Sequence, residues 1–206
     1  MKNLVLIIFV LLCSMCTLEK VSAHSFSSAA EDAAVVVNQP ELSIKQAIEL
    51  AYPSAQKWNK KAQLLQAINI DLDLPGNSDG SNGKRKFWNI SFGIPDTNKF
   101  FLVAIHEGKI DKAQELTGKG DTPKSKNEFV KLEDIHYDSP ELLKKALGMG
   151  TIYPGKEWAK GYNFMLSKDT VTNRNQMLVI GWNSKQTKMK AAGFDSTTGE
   201  PVPPQF

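Results

Sequence analysis

The sequence predicts an α+β fold made of two tandem α-β-β-β units, each a helix packed on an antiparallel sheet. Two observations carry that expectation. The stretch Lys86–Glu107 reads as a β-hairpin, and the order helix, strand, strand, strand runs along the chain twice. In the hairpin, Trp88, Ile90, Phe92 and Ile94 alternate with Phe87, Asn89, Ser91 and Gly93, a period of two. Pro95-Asp96-Thr97-Asn98 supplies turn residues. A loop of that length sets Trp88 opposite Ile105, Ile90 opposite Val103 and Phe92 opposite Phe101. A slip of one residue would send these apolar pairs to opposite faces.

The other elements follow in chain order. Ser43 is a candidate N-cap, and Ile44, Ala47, Ile48 and Ala51 recur behind it at helical spacing. Pro53 is expected to interrupt or kink that helix near Ala51, with Ser54–Lys61 as a second segment. Leu64–Leu74 alternates as a strand, and Pro75–Gly83 is an exposed Gly/Asn/Ser/Asp connection. After the hairpin, Lys109–Leu116 reads as a short edge strand. Residues 117–131, polar at the start and containing Gly, Pro and Lys, read as a linker between a first unit at 42–116 and a second at 132–206. In the second unit Ser139 is a candidate cap with Pro140 in the first turn, and Leu142, Leu143, Ala146 and Leu147 form the apolar side. Strands are expected around Tyr162–Leu166, Met177–Trp182 and Lys188–Phe194. The tail Pro201-Val202-Pro203-Pro204 is too rich in proline for a central strand.

Composition bounds the function. With 41% hydrophobic and 23% charged residues the 206-residue chain is globular in character. Its net charge of +3 comes from scattered lysines, so a nucleic-acid tract is not indicated and no nucleic-acid partner is expected. Lys2, the apolar run Leu4–Leu12 and the small-residue site Val21-Ser22-Ala23 read as a signal peptide over 1–23, cleaved after Ala23, with a flexible leader over 24–41. The mature protein would be secreted or periplasmic, without a membrane span. The alternatives are an uncleaved anchor and a lipoprotein modified at Cys16, where Cys13-Ser14-Met15 lack the usual adjacent small residue. Cys13 and Cys16 are the only cysteines, so a chain cut after Ala23 has no disulfide, thiolate metal site or cysteine nucleophile.

The repeated order and the final segment Gly193-Phe194-Asp195-Ser196-Thr197-Thr198-Gly199-Glu200-Pro201-Val202 resemble the PepSY family, whose members often close on a strand, an Asp, a Thr-Gly pair and another strand. The first copy matches only in part, at Val103–Lys109. The resemblance covers Ser43 to Val202 and implies a fold similar to that of β-lactamase inhibitory protein. It also implies a non-catalytic extracytoplasmic module associated with restraint of peptidases or with envelope proteins. It supplies no catalytic residues.

Candidate site residues are few. Asp71-x-Asp73-x-Pro75-Gly76 is a fragment of a calcium loop, but Pro75 and Asn82 stand where ligands are needed, so a polar loop is the plainer reading. Oxygens of Asp71, Asp73, Asp79 and Asn82 would at most hold Ca²⁺ weakly, and no cofactor is expected. His24 at a new N-terminus would begin a copper brace, which also needs His106 or His136 nearby. An exported hydrolase or metal-dependent enzyme using His106 or His136 is the alternative function, although no nucleophile elbow, HExxH motif or P-loop occurs. The expected function is binding of a protein or peptide partner on the second, partly apolar sheet face, made of Phe87, Leu102 and Ala104 in the first unit and Met177, Val179 and Ala192 in the second, with Phe87, Leu102, His106 and Trp182 as the expected contacts. Trp58, Trp88, Trp158 and Trp182 read first as core, with a binding surface as the alternative. The two faces packing on each other between units is the competing explanation for their apolar residues.

Overall fold

A computed structural model describes residues 40–70 and 78–204 of the chain. The elements are α1 (Ile44–Trp58), β1 (Gln63–Asn69), β2 (Phe87–Gly93), β3 (Phe100–His106), β4 (Lys109–Glu115), α2 (Ser139–Gly148), β5 (Asn163–Asp169), β6 (Arg174–Trp182), β7 (Met189–Asp195) and β8 (Pro201–Val202), with short 3₁₀ turns at Lys126–Glu128 and Leu132–Asp134. The strands form one antiparallel sheet in the order β4-β3-β2-β1-β5-β6-β7-β8. Each half therefore starts at the centre and meanders outward, in opposite directions.

This overturns the expected pair of helix-on-sheet units. The halves share one sheet, because β1 pairs with β5 through Gln66–Ser167, Ala67–Leu166 and Ile68–Met165. They also share one hydrophobic core, in which Ile44, Ile48, Trp88 and Ile105 from the first half are continuous with Leu142, Phe164, Met177 and Phe194 from the second. Joined edge to edge, the two halves present the same outer face, so their second faces do not pack on each other. All described residues fall within one compact unit.

The hairpin has the expected register: Trp88 lies opposite Ile105, Ile90 opposite Val103, Phe92 opposite Phe101 and Phe87 opposite His106. All three apolar pairs face the helices and are buried. Pro53 does not break α1, which runs through it as one element. Pro53 lies on the exposed side, where water can take the Glu49 carbonyl that loses its amide partner. The Ser43 capping box with Gln46 starts α1 as the sequence suggested.

α2 differs at its start. Asp138, not Ser139, is the N-cap, and its Oδ1 accepts the Ser139 amide at 2.7 Å. The same carboxylate oxygen accepts the Lys45 amide at 3.1 Å. Ser139 Oγ accepts the Ile44 amide at 3.0 Å and donates to the Gly83 carbonyl at 2.7 Å. The N-termini of the two helices therefore share their caps, which satisfies amides that a helix start otherwise leaves without intrahelical partners.

The segment expected as a linker carries the chain back from the β4 edge. Lys124 exchanges backbone hydrogen bonds with Asp96 and Thr97 in the β2–β3 turn, and the Val130 amide donates to the Leu64 carbonyl at 2.8 Å. At the other end, the Asp195–Glu200 motif is turn chemistry. Asp195 Oδ1 accepts the Thr197 amide at 2.9 Å, Thr198 Oγ1 accepts the Glu200 amide at 3.2 Å, and Gly199 sits at φ +71° against Tyr137 and Lys145.

Candidate functional site: an exposed tryptophan cleft

The sheet face away from the helices carries Leu102, Ala104 and His106 on β3, Phe87 on β2, Leu178, Ile180 and Trp182 on β6, and Gly193 on β7, as the strand alternation requires. Met177, Val179 and Ala192, expected on this face, belong to the core on the helix side, because β6 is apolar at nearly every position and its sequence does not say which set points inward. Part of it is covered by the chain itself. Gln176 Nε2 donates to the Pro203 carbonyl at 2.8 Å, and a Cβ at Gly193 would lie 2.7 Å from the Val202 carbonyl oxygen. The C-terminal tail therefore crosses the face at a position without a side chain, and Leu178 beside it is fully buried.

Beyond the tail a cleft of about 200 Å³ opens, lined by Lys156, Glu157, Trp158, Trp182 and Gln186. Trp158 is 69% exposed, and its ring meets that of Trp182 nearly at right angles, with centroids 6.0 Å apart. The two loops that build the cleft are tied at their base, where Tyr153 and Trp182 exchange backbone hydrogen bonds at 2.8 Å. Gly155 pairs with Gly161. A Cβ on Gly155 would lie 2.7 Å from the Trp182 indole nitrogen, so only glycine allows that close approach. The Trp182 Nε1–H is buried and has no hydrogen-bond acceptor among the described residues, which is uncommon for a buried donor. On the other side of the second loop, Gln186 Nε2 donates to the Pro154 carbonyl at 3.1 Å and holds the loops together.

Of the residues expected to bind a partner, Trp182 lines this cleft. Phe87 and His106 lie together on the other half of the sheet, rings edge to face at 5.3 Å, with Leu102 half-buried on the same face. Two strands separate Phe87 from β6, and three separate Leu102 and His106 from it. His106 Nδ1 is 3.5 Å from an oxygen of Asp111, and both side chains are well exposed. His136 Nδ1 lies 3.1 Å from the Thr197 carbonyl, beside the last turn of the chain. The two histidines are thus in different halves and do not converge. His24, Asp71 and Asp73 lie outside the described residues.

Asp79 and Asn82 are engaged in local turns. Asp79 Oδ1 accepts the Ser81 amide at 2.9 Å, and the Ser81 amide and hydroxyl hold the Asp79 carboxyl below its ordinary pKa. Asn82 accepts from the Lys84 amide and donates to Glu41. Among the described residues no group of three or more His, Cys, Asp or Glu is placed to hold a metal ion. Nor is any described helix long and apolar enough to cross a membrane.

Sequence reasoning did not find Lys156, Glu157 or Gln186. The available signal was Trp158 itself, set among Pro154, Gly155, Lys156 and Glu157 with no apolar periodicity around it.

Among the described residues the architecture is one antiparallel sheet with α1 and α2 on the same face. The chain is similar in fold to a "putative lipoprotein" from Clostridium difficile 630, whose crystal structure it matches with a TM-score of 0.51 at 13% identity, over 74% of this chain and 88% of that one. No family model and no curated protein sequence matches the chain.

Proposed function

We infer that this chain is a non-catalytic, extracytoplasmic binding module that takes a protein or peptide partner in the Trp158–Trp182 cleft. The observation that carries this reading is Trp158. A tryptophan left 69% exposed beside a second indole is a poor contribution to folding and a good anchor for a partner, since tryptophan is enriched at interface hot spots. The signal-like residues 1–23 and the PepSY-like ending support an exported module, and that resemblance suggests a peptidase or another envelope protein as the partner.

Pull-down from the native secretome and envelope extract tests the reading, with wild-type protein compared with Trp158→Ala. An identified protein retained by the wild type and lost by the variant is expected. Turnover of a test substrate by the purified chain, with no protein retained, would reverse the assignment in favour of an enzyme.

The fold neighbour is described as a "putative lipoprotein", which favours a second reading of localisation: anchoring at Cys16 in place of cleavage after Ala23. Mass spectrometry of the mature N-terminus separates the two. A free His24 supports secretion, and a lipid-modified Cys16 supports anchoring.

A further inference from the structure

We propose that the segment bound in the Trp158–Trp182 cleft is an acidic peptide stretch carrying one bulky apolar side chain. The inference rests on the binding reading above and adds the chemistry of the partner. Two loops form the cleft, residues 153–161 and 183–188. They contain Lys156, Lys160, Lys185 and Lys188 against a single acid, Glu157. That is a net +3, equal to the formal excess of the whole chain, so the rest of the sequence is balanced. Lysines that read as scattered along the sequence are brought to one end of the sheet by the Tyr153–Trp182 pairing.

Lys156, Lys185 and Lys188 are exposed. None of the three makes an ion pair with a described residue, whereas Lys124 and Lys126 elsewhere pair with Glu128 and Asp96. Lysines outnumber acids in these two loops, Glu157 being the one acid there, so this end of the sheet is basic and an acidic ligand is steered toward it.

The aromatic part favours a peptide over an anionic polymer that lacks apolar groups. Two indoles at 79° form a corner rather than a flat platform, and about 200 Å³ suits a single side chain. A phenylalanine or leucine there would meet both ring surfaces. Backbone groups on either side of it would lie within reach of the Gln186 amide and the Glu157 carboxylate, which line the same cleft. Acidic residues flanking that anchor would face Lys156, Lys185 and Lys188.

The test uses the purified full chain and a short dye-labelled peptide rich in glutamate with one central phenylalanine, read by fluorescence anisotropy. Its companions are the same peptide with lysine for glutamate, the same peptide with glycine for phenylalanine, heparin, and anionic phospholipid vesicles. The acidic aromatic peptide should bind at least about tenfold more tightly than either altered peptide, and it should weaken as salt is raised. The triple variant Lys156→Gln, Lys185→Gln, Lys188→Gln should weaken binding about tenfold, since three partly screened charge contacts are lost. Trp158→Ala should weaken it to a similar degree or more, with far-UV circular dichroism showing both variants folded.

An acidic peptide that binds no better than its lysine counterpart overturns the proposal. So does a triple variant that binds normally; if Trp158→Ala still abolishes binding, the cleft reading stands and only the acidic partner falls. Lysine-dependent binding that ignores Trp158 would overturn the cleft reading itself. Tighter binding of heparin or vesicles than of the acidic peptide would assign the basic loops to an anionic polymer or a membrane surface.

Discussion

The hydroxyl of Ser139 accepts the amide hydrogen of Ile44 at 3.0 Å, although 95 residues separate them in the chain. The same oxygen donates to Gly83, and Ser139 is fully buried. Ser139→Ala would leave one buried donor and one buried acceptor without partners, and should cost about 3 kcal/mol. Urea denaturation followed by tryptophan fluorescence would measure it. A cost near zero would mean that the helix starts do not depend on this shared cap.

Two tryptophans should behave as opposites. Trp88 is fully buried and its Nε1 donates to the Arg85 carbonyl at 3.0 Å. Trp88→Ala should destabilise the fold by about 4 kcal/mol through lost packing. Trp158→Ala removes only an exposed ring and one edge-to-face contact, and should cost less than about 1 kcal/mol while weakening partner binding about tenfold or more. Denaturation midpoints of the two variants, set beside the pull-down result, check both halves of the statement.

Glycines divide in the same way. Gly161 has φ +69°, and a Cβ there would lie 1.7 Å from the Asp79 carbonyl oxygen. Backbone would have to move, so Gly161→Ala should cost on the order of 3 kcal/mol or more. Gly120 has φ +100° and open space around it, so Gly120→Ala carries the backbone penalty alone, about 1 kcal/mol. Thermal unfolding of the pair would show whether the contact or the dihedral angle dominates.

Acid should weaken the fold through identifiable carboxylates. The Thr172 hydroxyl donates to Asp169 Oδ2, and the Val171 amide donates to Oδ1 at 2.9 Å. The Thr172 bond is the larger of the causes that hold the Asp169 carboxyl below its ordinary pKa. A carboxyl lowered by folding stabilises the native state above its unfolded pKa and loses that contribution as pH falls through the folded one. Thr172→Val should therefore lower stability near neutral pH and flatten the decline below about pH 4. Urea midpoints measured between about pH 7 and about pH 3 would show a reduced gap between wild type and variant at the acid end.

The sheet was legible where side chains specify it. The β2–β3 hairpin carries its register in alternating apolar residues and a turn of fixed length, and the pairing of Trp88 with Ile105 follows from those alone. The junction of the two halves was not legible. The seam is made by backbone groups common to every residue and by polar side chains, Gln66 to Met165 and Asn69 to Asn163 and Phe164, whose partners lie in the other half and cannot be named from β1 alone. Hence two sheets were expected where there is one. The cap at α2 was misplaced by one residue because Asp138 and Ser139 are both good caps in sequence, and only the nearby start of α1 gives Ser139 another task. The cleft escaped notice because its residues come from loops about 30 positions apart, drawn together by the hydrogen bonds between Tyr153 and Trp182.

The three-pair seam between β1 and β5 also governs what the gene product can be divided into. A chain severed within the exposed stretch 117–123 would yield two pieces, each ending in a bare strand and each missing part of the lining of its own interior. Neither piece should persist alone, yet mixed together they carry matching borders, so fragment complementation should restore the intact protein.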